Sequence, residues 1–418
     1  MLKSRPAERD LTLRRFRPDQ PPVVVLGGLN VTRAAGLAGL SAIVASADHD
    51  SPVFASRFCE GALCLPPLEQ PAAVLEKLMR LGERLSAKLG RSVPLLYGDD
   101  NYLDLILKNR GRLAQHYRFL VNDPEVADAL IDKERFDAFT RARKLPVPRT
   151  LEWGELETIS GPVLIKPKVK IAFDDSPAYL RLFGRGGKAR VFATPQEVLA
   201  DPLARTLREN LLFQEYIPGD DRHIWSFHGF ADEKSRVLTW FTGRKIRTYP
   251  ALTGTSTYLQ LAHNDELAAV GHDIVARAPL KGVFKIDFKQ DPRSGRFLML
   301  EVNARFNLWH YLGAVNGVNV PRAAYDYLMY GERPEAARRA RTSHRWLSLR
   351  LDYRAYRELA SRGELSLWRW LGSLAASRKV YDVFAWSDPL PFVRYWTRRI
   401  HRVPAVTARL TRWLFTAS

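Results

Sequence analysis

Val23-Val24-Val25-Leu26 is a run of four apolar residues followed at once by Gly27-Gly28. A run too short for a helix and apolar on both faces belongs inside a sheet that is covered on both sides. The glycine pair predicts a turn at its end. The pattern recurs. Helical spacing over residues 32–40 leads to Ala42-Ile43-Val44-Ala45, and helical spacing over 74–89 leads to Val93-Pro94-Leu95-Leu96-Tyr97, which stops at Gly98-Asp99-Asp100. Strand, helix, strand, helix, strand predicts an open parallel sheet, an α/β domain over residues 21–125. Ligands of such sheets bind beyond the carboxyl ends of the strands. That puts residues 28–33 and 98–101 at a pocket rim. The region lacks a G-x-G-x-x-G, so it is not read as a dinucleotide site.

The pattern then changes. A helix is expected from Asp132 to about Arg143, stopped by Leu145-Pro146-Val147-Pro148. Strands are expected at 162–167, 211–216, 237–241, 283–288 and 297–302, with Asp291-Pro292-Arg293-Ser294-Gly295 as a hairpin turn between the last two. Side chains two apart on a strand share a face. Asp287 therefore shares one with Lys285 and Lys289, and Glu301 shares one with Asn303 and Arg305. If the hairpin closes, Asp287, Glu301 and Asn303 converge. Two carboxylates and an amide oxygen are hard donors suited to Mg²⁺, and Arg305 adds a cationic fork for a phosphoryl group. A hairpin edge with solvated charges satisfies the same spacing.

Other features are weaker one by one. Lys166 ends an apolar strand and can place a charge over a phosphate, as can any solvated strand-end lysine. Gly184-Arg185-Gly186-Gly187-Lys188 is a glycine-rich loop whose amides can approach phosphate oxygens, but it is no P-loop. Gln214-Glu215-Tyr216-Ile217-Pro218-Gly219-Asp220-Asp221 ends a strand in a turn. Residues 247–250 and 254–257 form a polar loop whose hydroxyls could orient a carboxylate or a triphosphate. His310 and Tyr311 are read as buried and structural.

Taken together, in this order, these pieces resemble the ATP-grasp superfamily: Ala129-Leu130-Ile131-Asp132-Lys133 at a helix start, the Ile165-Lys166-Pro167 strand, the glycine-rich loop, the Gln214–Gly219 hinge and the Asp287…Glu301-x-Asn303-x-Arg305 hairpin. The resemblance covers about residues 21–335. It is to the branch related to carboxylate–amine ligases, D-aspartate ligase among them, and to the large subunit of carbamoyl-phosphate synthase. It implies a two-lobed α+β grasp over 126–335 behind the α/β domain. It implies ATP on Lys166 and Lys188, with Lys133 as a further contact and the loop with Gly186 and Gly187 as a lid. Adenine would lie against the backbone of Glu215, Tyr216 and Ile217, with Gln214 where glutamate is more frequent, and the ribose would meet Asp221. Asp287, Glu301 and Asn303 would hold one or two Mg²⁺, or Mn²⁺ in its place. Lys245 and Arg305 would act on the transferring phosphoryl. The implied reaction activates a carboxylate as an acyl phosphate and joins it to an amine. The alternatives are an enzyme that releases a carbamoyl or acyl phosphate, and a non-catalytic protein that keeps the fold. Substrates would be small or envelope-precursor acids and amines.

Charge separates the rest of the chain. The net +19 arises from 64 Lys and Arg against 45 Asp and Glu among 418 residues. Residues 336–418 hold 17 against 5, or +12, and six of the ten Trp, leaving +7 for the other residues. This is read as a separate basic, helical C-terminal region that suits an anionic membrane surface better than nucleic acid. Residues 1–20 form a basic leader with no apolar run, unlike a secretory signal. Cys59 and Cys64, alone in the chain, are read as two reduced thiols rather than a zinc site. The expected location is the cytoplasm, peripheral to the inner face of the membrane.

Overall fold

The computed structural model describes residues 16, 19–168, 176–184, 189–252, 254–333 and 339–399. Gly186, Gly187 and Lys188, most of the leader, and residues 400–418 of the basic C-terminal region lie outside them. The chain divides into two compact units. One is Met1–Leu120 with Arg305–Arg339 and Lys379–Ser418; the other is Val121–Ala304 with Ala340–Arg378.

The first unit holds the expected parallel sheet. Its strands are β1 Val23–Leu26, β2 Ala42–Ser46, β3 Cys59–Cys64, β4 Val93–Tyr97 and β5 Tyr117–Arg118, in the order β3-β2-β1-β4-β5. All neighbours run parallel, with Val25 between Val44 and Leu96. β1 is buried throughout, as its apolar run requires. Cys59 and Cys64 stand five residues apart on β3 and so face opposite ways. Helices Trp309–Val315 and Val320–Tyr330 pack on helix Leu29–Leu37. Tyr325 donates to the Pro21 carbonyl at 2.8 Å and Asn319 to that of Ala34 at 2.7 Å. His310 is buried and accepts the Asn307 amide at Nδ1.

Part of this unit's expected pocket rim is engaged by its own residues. Arg33 is fully buried, with Nε 2.9 Å from an Asp388 oxygen that also accepts from Ser56 at 2.8 Å. The other Asp388 oxygen takes the Arg57 amide. At the end of β4, the Tyr97 carbonyl accepts from the Phe306 amide.

The second unit has two sheets. β6 Thr150–Leu151, β7 Val163–Pro167, β8 Arg190–Phe192 and β9 Leu211–Glu215 form an antiparallel four-stranded sheet in the order β6-β9-β7-β8. Val163, Ile165, Phe192 and Phe213 bury one face with Leu156 and Val198. The larger sheet contains β10 Ile224–Ala231, β11 Val237–Tyr249, β12 Thr255–Leu261, β13 Gly282–Gln290, β14 Phe297–Asn303 and β15 His344–Leu347, in the order β14-β13-β10-β11-β12-β15. Trp225, Phe227, Phe284, Ile286 and Phe288 turn to one side and pack against Leu267, Ile274 and Val275 of helix Asp265–Arg277. Each buried side chain of this size contributes roughly 1.5–3 kcal/mol. Gly271 of that helix lies under the Phe227 ring, where a Cβ would meet the ring at 2.5 Å. The opposite side of the sheet carries the polar set.

The two units do not follow the linear division at 125 and 335. Residues 305–339 belong with the parallel sheet, and the expected separate region 336–418 is shared out. β15 pairs with β12 through Leu259↔Trp346, so residues 340–378 are part of the second unit. Composition alone grouped them with residues 379–418.

Candidate active site

A cleft of about 470 Å³ opens within the second unit between its two sheets. Its floor is the β13–β14 hairpin. Asp287 pairs with Glu301 and Lys285 with Asn303, so strand alternation brings the two carboxylates and the amide to one face. The Asn303 side-chain nitrogen donates to Glu301 Oε1 at 3.0 Å, which leaves its amide oxygen as the atom it can present to a cation.

Asp287 is buried and crowded with donors. The Ser226 hydroxyl, opposite it on β10, donates to one oxygen. Lys285 Nζ donates to the other at 2.6 Å, and Lys245 Nζ stands 4.0 Å from it. Burial would raise this carboxyl, but the two ammonium groups outweigh burial and hold it well below the usual carboxylate range. It is therefore an anion at any ordinary pH. Glu301, by contrast, is exposed. One fixed carboxylate, one reachable carboxylate and an amide oxygen on a single face fit a hard divalent cation that keeps several waters. Lys285 already balances the Asp287 charge, so a cation there would share that oxygen with it.

The roof is the smaller sheet. Leu164 and Lys166 of β7, with Leu212 and Gln214 of β9, face the cleft, because Val163, Ile165 and Phe213 take the core side. Lys166 Nζ donates to Gln214 Oε1 at 3.0 Å. Asp132 lies at the edge of the cleft and caps helix Lys133–Ala142, accepting from the Glu134 and Arg135 amides. Lys133 is the first residue of that helix.

Other expected site residues are placed differently. In the hinge, the Glu215 amide donates to the Arg149 carbonyl and the Tyr216 amide to that of Pro162. A backbone hold on a ligand there falls to the carbonyls and to Ile217. Asp221 is buried and takes the Thr248 amide at 2.7 Å, the Thr248 hydroxyl and the Leu252 amide at 2.9 Å. Burial raises this carboxyl against those donors. Its acceptor capacity is engaged by the loop after β11, and it does not line the cleft. Arg305 opens the first unit's second segment and pairs there with Asp100.

The polar loop at 247–257 is also reassigned. Arg247 makes a two-bond fork to Asp352 at 2.9 and 2.8 Å, and Asp352 also accepts from Thr257 and from Trp370 Nε1, both at 2.8 Å. Glu358 accepts the Ala251 amide. The loop hydroxyls thus hold the loop itself, and it presents Leu252 and Gly254 to the cleft. A Cβ on Gly254 would lie 2.1 Å from the Tyr249 carbonyl. Lys285 as the ion partner of Asp287 was signalled by its period-two spacing from it. Asp352 carried no local signal.

Among curated proteins, the chain is 23% identical to D-aspartate ligase of Enterococcus faecium over 274 residues, 62% of this chain and 64% of that one. The match therefore spans less than two thirds of the relative. Among solved structures, the biotin carboxylase domain of the 2-oxoglutarate carboxylase of Hydrogenobacter thermophilus, in complex with MgADP and bicarbonate, matches with a TM-score of 0.53 at 15% identity, over 78% of this chain and 73% of that one. The chain has the ATP-grasp fold. A second grasp structure, the L-amino acid ligase of Bacillus licheniformis, matches with a TM-score of 0.50 at 13% identity, over 74% of each chain. No protein-family model matches. In grasp terms, the β13–β14 hairpin and β7 are the two sides between which the cleft opens.

Proposed function

We propose that this ATP-grasp protein is an ATP- and Mg²⁺-dependent ligase that joins a carboxylate to an amine. The observation that carries the reading is the meeting of Asp287, Glu301 and Asn303 on one sheet face in the cleft that also receives Lys166 and Lys245. The D-aspartate ligase and the L-amino acid ligase support the class of reaction.

A carboxylate is a poor electrophile because its leaving group would be oxide. One of its oxygens would attack the γ-phosphorus, the bond to the β–γ bridging oxygen would break, and ADP would leave. The amine nitrogen would then add to the acyl carbon, phosphate would depart, and a proton would be lost to solvent. When bound at Asp287, Glu301 and Asn303, Mg²⁺ supplies charge neutralisation for the phosphates. Lys166 would hold the phosphates from the roof and Lys245 from the floor, in fixed positions that need no reorganisation during transfer. Leu252 and Gly254 would keep water from the acyl phosphate. The hinge carbonyls would take the adenine amino group.

The test is phosphate release from ATP with a panel of amino acids as amine against candidate acids, envelope precursors included. Release should require both substrates, and amide should accumulate. Glu301→Ala should lower the rate by about two orders of magnitude or more, with little effect on stability because the residue is exposed. Full turnover in that variant would remove the metal assignment. Hydroxylamine trapping of product without added amine would instead favour release of an acyl phosphate.

A further inference from the structure

Residues 384–396 of the first unit carry a row of aromatic rings. Phe384 meets Trp386 at 4.8 Å and Phe392 at 5.4 Å, and Phe392 meets Trp396 at 6.1 Å. The row and its aliphatic neighbours face outwards. Trp386 is 89% exposed, Leu390 60%, Val393 52% and Trp396 45%. Residues 390–399 are helical, so Leu390, Val393 and Trp396, three apart, lie along one side. The segment is firmly mounted from beneath, through buried Asp388 and its bonds to Arg33, Ser56 and the Arg57 amide. Large apolar groups on a rigid mount, turned outwards, mark an interaction surface rather than a fraying end.

Charge identifies the partner. From residue 389 to 399 the chain has three arginines and no acidic residue. Arg398 pairs with Asp48. Arg394 donates to the His49 carbonyl and Arg399 to the Tyr395 hydroxyl, neutral acceptors that leave the positive charge in place. A second copy on this face would set arginine against arginine. Nucleic acid would use the arginines and the rings but gains little from Leu390 and Val393. A bilayer surface uses all of them, with Trp and aliphatic groups at the acyl boundary and guanidinium groups on headgroup phosphates. Among the described residues no helix is long and apolar enough to cross a membrane.

We propose that residues 384–399 dock the first unit on an anionic lipid surface. This narrows the basic tail to one segment, and it stands or falls independently of the ligase reading.

The experiment is flotation of the full chain with phosphatidylcholine vesicles, with and without phosphatidylglycerol, at low and at 0.5 M salt. Two variants accompany it, W386S/W396S and R394Q/R399Q, each checked for an unchanged thermal melt. The parent should float with phosphatidylglycerol vesicles, at least tenfold less with neutral ones, and less at high salt. Each variant should lose tenfold or more, R394Q/R399Q in keeping with roughly 1 kcal/mol per basic residue near such a surface. Lack of flotation on anionic vesicles, indifference to lipid charge, or variants that float like the parent would overturn the proposal. So would a dimer, or retention of RNA, that W386S/W396S abolishes while flotation persists.

Discussion

At Lys166 an ammonium donates to a neutral amide oxygen, that of Gln214. A phosphate oxygen in that place would add the attraction of an anion to the hydrogen bond. Lys166→Met should therefore raise the KM for ATP by roughly tenfold to a hundredfold, the equivalent of about 1.5–3 kcal/mol, in steady-state phosphate release. His272 offers a test of stability. Its ring sits against Phe227 and Trp240 at 5.2 and 5.4 Å, and burial lowers its pKa from 6.5. The folded chain thus resists the proton that the unfolded chain accepts. Stability is full above pH 6.5 and falls as the pH drops through that value towards the lower folded pKa. Urea midpoints from pH 8 to 5 should show this loss, and His272→Gln should remove part of it. The Asp287–Glu301 pairing was legible because a period of two leaves a strand residue only one face to occupy. Lys245 was legible only through the resemblance. The engagement of Asp221 by Thr248 and Leu252 was not, because a carboxylate at a turn looks the same in sequence whether it meets a ribose or its own backbone.

Among the elements, β13 and β14 were legible from their apolar periodicity and from the turn residues between them. β3 was missed because Cys59-Glu60-Gly61-Ala62 has no β-branched residue, and β15 because four residues in a basic stretch carry no period. Helix Leu349–Ser361 has the largest hidden role. Its Asp352 is fully buried and holds Arg247 on β11, a residue 105 positions away. Asp352→Ala would leave a buried guanidinium without its counter-ion and should cost about 3–5 kcal/mol, read as a lower urea midpoint. Replacing both partners, R247M with D352L, should recover much of that loss. A double variant no more stable than Asp352→Ala would show that the helix acts through something other than this pair.

On the scale of the molecule, a linear division into domains equates chain order with spatial order. The α/β and grasp characters were right because each rests on local pattern. The linear boundaries differ from the units, because the first unit is assembled from three separated segments and the second from two. No local signal announces that residues 309–330 will cover a helix at residues 29–37. The charge reading survives in reduced form: residues 340–378 serve the grasp, and the exposed Trp386 and Trp396 remain for a lipid surface.

The Arg33–Asp388 pair spans 355 positions of chain. On the ribosome β1 and helix Leu29–Leu37 emerge well before Asp388 does. Until then the Arg33 guanidinium must keep its water, and the helix that carries it cannot settle. Residues 121–304, by contrast, are all in hand long before. Most of the second unit has a head start, lacking only residues 340–378, whereas the first is completed only once Asp388 has been made, exposed meanwhile to chaperones and proteases.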